Sequence, residues 1–145
     1  DGAEATARAE RTLDRLADLI QHPDLQDDPQ RLTALTALAL SAGWSADPER
    51  SERVGRQLLS LACSEGSGEA REGDRQSLML GHWALGLSHW LRGQPVPARE
   101  HLSRAVALYD PVANRPLGGL VAADPGVMAR AMLGAVLWQL GHPDQ

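Results

Sequence analysis

The chain contains no lysine and no phenylalanine, and a single cysteine, in 145 residues. Each scarcity excludes something. Without Lys, the phosphate-cradling loop GxxxxGK[ST] cannot occur, and the Gly-rich "PLGGLVAADPG" does not match it. One cysteine, Cys63, excludes an internal disulfide framework. No apolar run approaches the roughly 18 residues of a membrane span. The opening "DGAEATARAE" lacks the basic and apolar regions of a signal peptide. HExxH, CxxC and GxSxG are absent, so no motif points to the chemistry they carry. The 14 basic residues are all Arg and are scattered, under a net charge of −5. Nucleic-acid binding shows a basic stripe or patch, and none is present. These exclusions lead us to expect a cytoplasmic protein without enzyme activity, cofactor, metal, nucleic-acid partner or membrane contact.

What remains is enough for one ordinary domain. Hydrophobic residues make up 43% of the chain and charged residues 23%, a balance that can bury a core. With aromatics at 3%, that core must be Leu, Ala and Val, with Trp44, Trp83, Trp90 and Trp138 as its large members. Ala and Leu dominate and β-branched residues are sparse, which favours helix. No stretch alternates as a strand would. The fold class read from the sequence is all-α.

Apolar periodicity places six helices, at about residues 4–21, 29–42, 48–62, 75–92, 96–109 and 125–140. In the first, Leu13, Leu16, Ala17 and Ile20 share a face. The fourth is apolar around most of its circumference and should lie between neighbours. Asp28-Pro29, Asp47-Pro48 and Asp124-Pro125 read as helix starts. Asp accepts free amide hydrogens of the first turn, and Pro fits the first helical position, where no N–H is needed. Asp110-Pro111 follows a helix, so its Pro reads as a stop. "SEGSGEAREGD" (64–74) reads as a loop. "PVANRPLGGLVAA" is long and apolar for a connection, and is expected to pack as a spacer over 111–124.

One phrase is written twice. "LGLSHWLRGQP" starts at Leu85 and "LGAVLWQLGHP" at Leu133. Gly86 and Gly134, Trp90 and Trp138, Gly93 and Gly141 all stand at one constant offset of 48 residues. Self-similarity of this kind points to stacked helical units. From about residue 80 the pattern resembles a tetratricopeptide repeat. Leu85-Gly86 fits that family's Leu-Gly pair and Gly93 its inter-helix turn. Ala98 and Ala105 fit the small positions of the second helix, and Leu102 the large one between them. His82 and His89 depart from the aromatics the family prefers, and the period is 48 where the family has about 34. "HWALGLSHWLRGQPVPAREHLSRAVALYDP" with "DPGVMARAMLGAVLWQLGHPDQ" is similar to the repeat region of large bacterial signal-transduction ATPases that carry kinase, nucleotide-cyclase or transcription-regulator modules.

The resemblance implies antiparallel helical hairpins stacked as a piece of an α-solenoid. Residues 1–63 would be degenerate repeats, 75–110 the best-matching hairpin, and 125–145 the first helix of a repeat whose second helix lies beyond the chain. It further implies a non-catalytic regulatory module that offers a concave surface to a protein or peptide, or to another domain of the parent, with homo-oligomers left open. On that face Trp83, Leu87, Trp90 and Leu91 are the candidate partner-binding residues. The competing reading makes them packing residues, and the recurrence of Trp90 as Trp138 favours that role for Trp90. Gly86 and Gly134 are expected as close-packing points. The alternative function is a small-molecule sensor closing the same face, or the loop 111–124, over an effector. His82, His89 and His101 fall on facing helices, an arrangement that can bind zinc, but hydrogen-bonded packing histidines are the plainer reading. Cys63 reads as a small buried thiol, since no neighbouring base or cation is evident.

Overall fold

An Ala- and Leu-rich chain short of β-branching folds here as its composition dictates. The computed structural model describes residues 2–20, 22, 24, 30–63, 72–112 and 124–141, and among these there are six helices and no strand. They are α1 (Gly2–Leu19), α2 (Gln30–Trp44), α3 (Pro48–Cys63), α4 (Glu72–Leu91), α5 (Pro95–Leu108) and α6 (Pro125–Gln139). Each helix packs on the next along the described chain, α1 on α2 the most lightly. The most extensive interfaces are α3 on α4 and α4 on α5, followed by α5 on α6.

Two of the expected Asp-Pro starts are described, and both are caps. Asp47 Oδ1 accepts from Glu49 N at 3.1 Å and Arg50 N at 2.9 Å. Asp124 Oδ1 accepts from Gly126 N at 2.7 Å and Val127 N at 3.3 Å. Each cap satisfies first-turn donors that no earlier carbonyl can reach. Asp28-Pro29 lies outside the described residues. At Asp110 the carboxylate accepts from Val112 N at 2.8 Å, a local turn, and α5 ends at Leu108 before Pro111. One boundary differs from the expectation. Helix α4 begins at Glu72, inside the stretch read as a loop over 64–74. Most of the 111–124 spacer lies outside the described residues.

The helix ends share one device. Gly93 has φ +69° and Gly141 φ +81°, so both sit in the left-handed region that stops a helix, where glycine has no Cβ to clash. Gly93 N donates to Trp90 O at 3.0 Å, and Gly141 N to Trp138 O at 3.1 Å. The turn after α2 adopts the same conformation on Ala46, at φ 50°. There Asp47 N donates to Ala42 O at 3.2 Å, just as Gln94 N donates to His89 O at 2.9 Å after α4. These are the long backbone bonds of a helix-closing motif. So α2, α4 and α6 all close through a left-handed residue.

Helix α4 is held from both sides by absent side chains. A Cβ on Gly81 would lie 2.9 Å from Leu59 Cγ and 3.0 Å from Gly55 O, both on α3. A Cβ on Gly86 would lie 2.7 Å from Leu102 Cγ on α5. The core runs through these contacts: Leu58, Met79, Leu80, Trp83, Ala84, Leu87, Ala98, Leu102 and Ala105 are buried. The other expected close-packing glycine behaves differently. Around Gly134 a Cβ would meet nothing within 4 Å.

The two glycines should therefore respond in opposite directions to the same substitution. Gly86→Ala drives a methyl into buried Leu102 and is expected to destabilise by roughly 1–3 kcal/mol, the usual cost of overpacking. Gly134→Ala has open space and gains about 1 kcal/mol of helix propensity. Urea denaturation of the two variants beside the parent decides this, and equal effects would contradict the packing described. Ala46→Gly should stabilise by roughly 0.5–1 kcal/mol, because it relieves a left-handed alanine at a small entropic cost.

Candidate functional site

Helix α4 carries the residues singled out as a partner surface, and its two neighbours decide where they point. Trp83 is 1% exposed and Leu87 4%. They are core, so these two are not a surface in this chain, and that expectation is corrected. The reason is geometric: with α3 on one side and α5 on the other, almost the whole circumference of α4 is covered. The Trp83 indole N–H is buried and meets no acceptor among the described residues. Trp90 and Leu91, one turn further on, are half-buried and pack against the core edge. Leu85 is buried beside Gly55 of α3, while Ala98, Leu102 and Ala105 form the face of α5 turned to the interior.

Three histidines gather where α4 meets α5. His82 Nδ1 and His101 Nδ1 stand 2.9 Å apart, so one nitrogen carries the proton and the other accepts it. The His89 ring stacks on His101, with centroids 5.5 Å apart and planes at 14°. His89 Nδ1 donates to Gln94 Oε1 at 2.7 Å, which fixes that nitrogen as the protonated one. Burial, reinforced by His101 and the Arg104 cation, pushes the His82 imidazole down to about 4. Burial also lowers His101, helped by His89 and Arg104 and opposed by Glu100. A neutral, hydrogen-bonded imidazole pair packs two helices together and offers little charge to a ligand. Among the described residues no group of three or more His, Cys, Asp or Glu is placed to hold a metal ion. The Cys63 and Trp44 side chains lie outside the described residues.

A second junction ties α5 to α6. Tyr109 Oη donates to Asp124 Oδ2 at 2.7 Å, while the other carboxylate oxygen caps α6. The Tyr109 ring lies where a Cβ on Gly126 would be, 2.5 Å from its Cε2, and the Arg130 guanidinium sits 4.9 Å from the ring centroid. The Tyr109 hydrogen bond, with the two capping amides and Arg130, holds Asp124 below the usual carboxylate range despite partial burial. Elsewhere, an open cleft of about 200 Å³ lies between α1 and α3. Of its charged lining residues, Arg50 reaches Asp14 at 2.6 Å and, outside the cleft, Asp47 at 3.7 Å.

The surface that sequence reasoning missed is on α6. Val127 is 61% exposed and Trp138 73%, and Ala131, Gly134 and Ala135 are exposed between them. The signal was available, since Arg130 and Gln139 are the only polar residues of α6, and a helix that apolar belongs between neighbours. Its inner face, with Ala129 and Val136 fully buried, rests on α5. No described helix is long and apolar enough to cross a membrane. Comparison with known proteins places no relative beside this chain: no protein-family profile, no curated protein and no solved structure matches it.

The histidine pair predicts a pH response with a definite sign. His82 is harder to protonate in the fold than in the unfolded chain, so its contribution is present above pH 6.5 and is lost as pH falls towards about 4. The melting temperature should drop over that window, and His82→Gln, which keeps a hydrogen-bonding group without the titration, should flatten the drop. Asp124 acts lower. Its pKa is depressed, so its contribution is present above the ordinary carboxylate value and is lost as pH falls through the folded one. An unchanged pH profile in His82→Gln would contradict this account.

Proposed function

We propose that the chain is a tetratricopeptide-like repeat module without catalytic activity, part of a larger bacterial signalling protein, whose helices bind a partner protein or another domain of that parent. One observation carries the reading. Helices α4 and α6, 48 residues apart, end in the same left-handed glycine turn, and each packs on the helix before it. Stacked units of this kind make extended surfaces suited to other chains. The resemblance of residues 80–145 to the repeat region of bacterial signal-transduction ATPases supplies the parent class. The correction at Trp83 and Leu87 narrows the binding surface to what α4 leaves half-open, Trp90 and Leu91, and to the outer side of α6.

The sensor alternative places an effector on the same face or under the loop 111–124, most of which lies outside the described residues. Among the described residues the α1–α3 cleft is smaller than the ~300–1,000 Å³ typical of ligand sites, and its Arg50 already reaches Asp14. Regulatory modules of this class act through contact, so the deciding measurement is association. The tagged chain should retain a specific protein from bacterial extract, and the purified pair should bind at micromolar concentration or tighter. A thermal-shift screen against nucleotides and metabolites should give no shift. A large shift from one small molecule, with no protein partner found, would replace this reading with the sensor.

A further inference from the structure

The internal repeat allows the outer side of α6 to be compared with a surface whose occupant is known. Forty-eight residues before Val127, Ala131, Gly134, Ala135 and Trp138 stand Met79, Trp83, Gly86, Leu87 and Trp90. On α4 the first four are buried and the last is half-buried. On α6 all five are exposed. The inner faces correspond as well. Gly81 of α4 meets the preceding helix α3, and its counterpart Ala129 is buried on the side of α6 that rests on α5. The two helices therefore sit the same way round in their surroundings. What α4 has, and α6 lacks among the described residues, is a next helix packed on its outer side. The contrast is sharpest at the glycines. At Gly86 the space of a side chain is filled by Leu102, and at Gly134 it stands open.

We propose that the outer side of α6 is a docking groove for one amphipathic partner helix, of the same chemistry as α5. That helix lays a large aliphatic residue into the notch at Gly134, with small residues four positions before it and three after, as Ala98, Leu102 and Ala105 do on α4. Trp138 and Val127 then close over its two ends. This rests on the repeat reading above and adds to it the face and the chemistry of the partner. A second copy of the chain does not fit the groove. Its own α5 has Ala98, Leu102 and Ala105 fully buried and cannot offer them again.

The repeat itself supplies the probe. A labelled peptide with the sequence of residues 94–110 is titrated into the whole chain. Saturable binding is expected, abolished when Leu102 of the peptide is replaced by Asp, and reduced at least tenfold by Gly134→Leu in the protein, which fills the notch in advance. Binding that survives Gly134→Leu means the peptide has entered at α4, and overturns the proposal. A short free helix is marginally stable in water, so a second arm removes that cost. Residues 98–112 are fused directly after Gln145, which continues the 48-residue phase. This form should melt several degrees higher and should protect Trp138 from acrylamide quenching, judged against the same pair carrying Trp138→Phe. No rise in melting temperature and unchanged quenching would overturn the proposal. So would a concentration-dependent dimer that Gly134→Leu dissolves, because it would give the groove to a second copy. Partner capture that continues in Gly134→Leu leaves the module reading in place while removing this groove, so the two can fail separately.

Discussion

The arrangement depends on how close three helices can come. Gly81 admits α3 to one side of α4, and Gly86 admits α5 to the other. At both points backbone or a branched side chain occupies the volume a Cβ would need. Helix axes usually stand about 8–10 Å apart, at a distance set by the residues in the contact. With no side chain at Gly81 or Gly86, Leu59 and Leu102 come to where a Cβ of α4 would stand. The consequence reaches the functional question directly. A helix so enclosed keeps most of its apolar side chains inside, which is why Trp83 and Leu87 are interior residues and only Trp90 and Leu91 near its end are half-open.

Polar ties then fix the register around this stack. Ser88, buried on the α3 side of α4, donates to Pro48 O at 2.8 Å, and Arg92 spans from Ser88 to Glu52. The Arg92 hydrogen bond, with Arg56 beside it, lowers the Glu52 carboxyl against a small burial effect. At the other end of α4, Arg75 Nε donates to Leu108 O at 3.0 Å, covering a carbonyl at the end of α5. The half-buried histidine pair acts differently. Burial penalises its charged form, so the same interface is firm at neutral pH and weaker in acid.

Much of this was legible in the sequence. Helical class, the six segments, the Asp caps before Pro and the turn at Gly93 come from local chemistry, which reads the same in sequence and in space. The recurrence of Leu-Gly, Trp and Gly also marked α4 and α6 as counterparts. Three things were not legible. The turn at Ala46 was hidden because the residue that usually announces a left-handed helix end is Gly, and here the geometry is imposed on Ala by the bond from Asp47 N to Ala42 O. The burial of Trp83 and Leu87 was hidden because periodicity gives a face but not which neighbours cover it. Gly86 and Gly134 look alike as letters, yet one meets Leu102 and the other open space. That difference is set by the neighbour on the outer side of each helix rather than by the helix itself.

The contact between Tyr109 and Gly126 has a further effect. The ring fills the place of a missing side chain at the start of α6, and its hydroxyl grips the same Asp124 that caps the helix. One end of α6 is thus clamped in position and direction before anything touches its outer side. Binding to a loose helix spends much of its free energy on ordering. A helix clamped in this way has lost that freedom already on folding, so whatever settles along Val127 to Trp138 meets a surface of fixed shape. Selectivity there would come from fit to a rigid template, and a mismatched side chain could not be absorbed by α6 swinging aside.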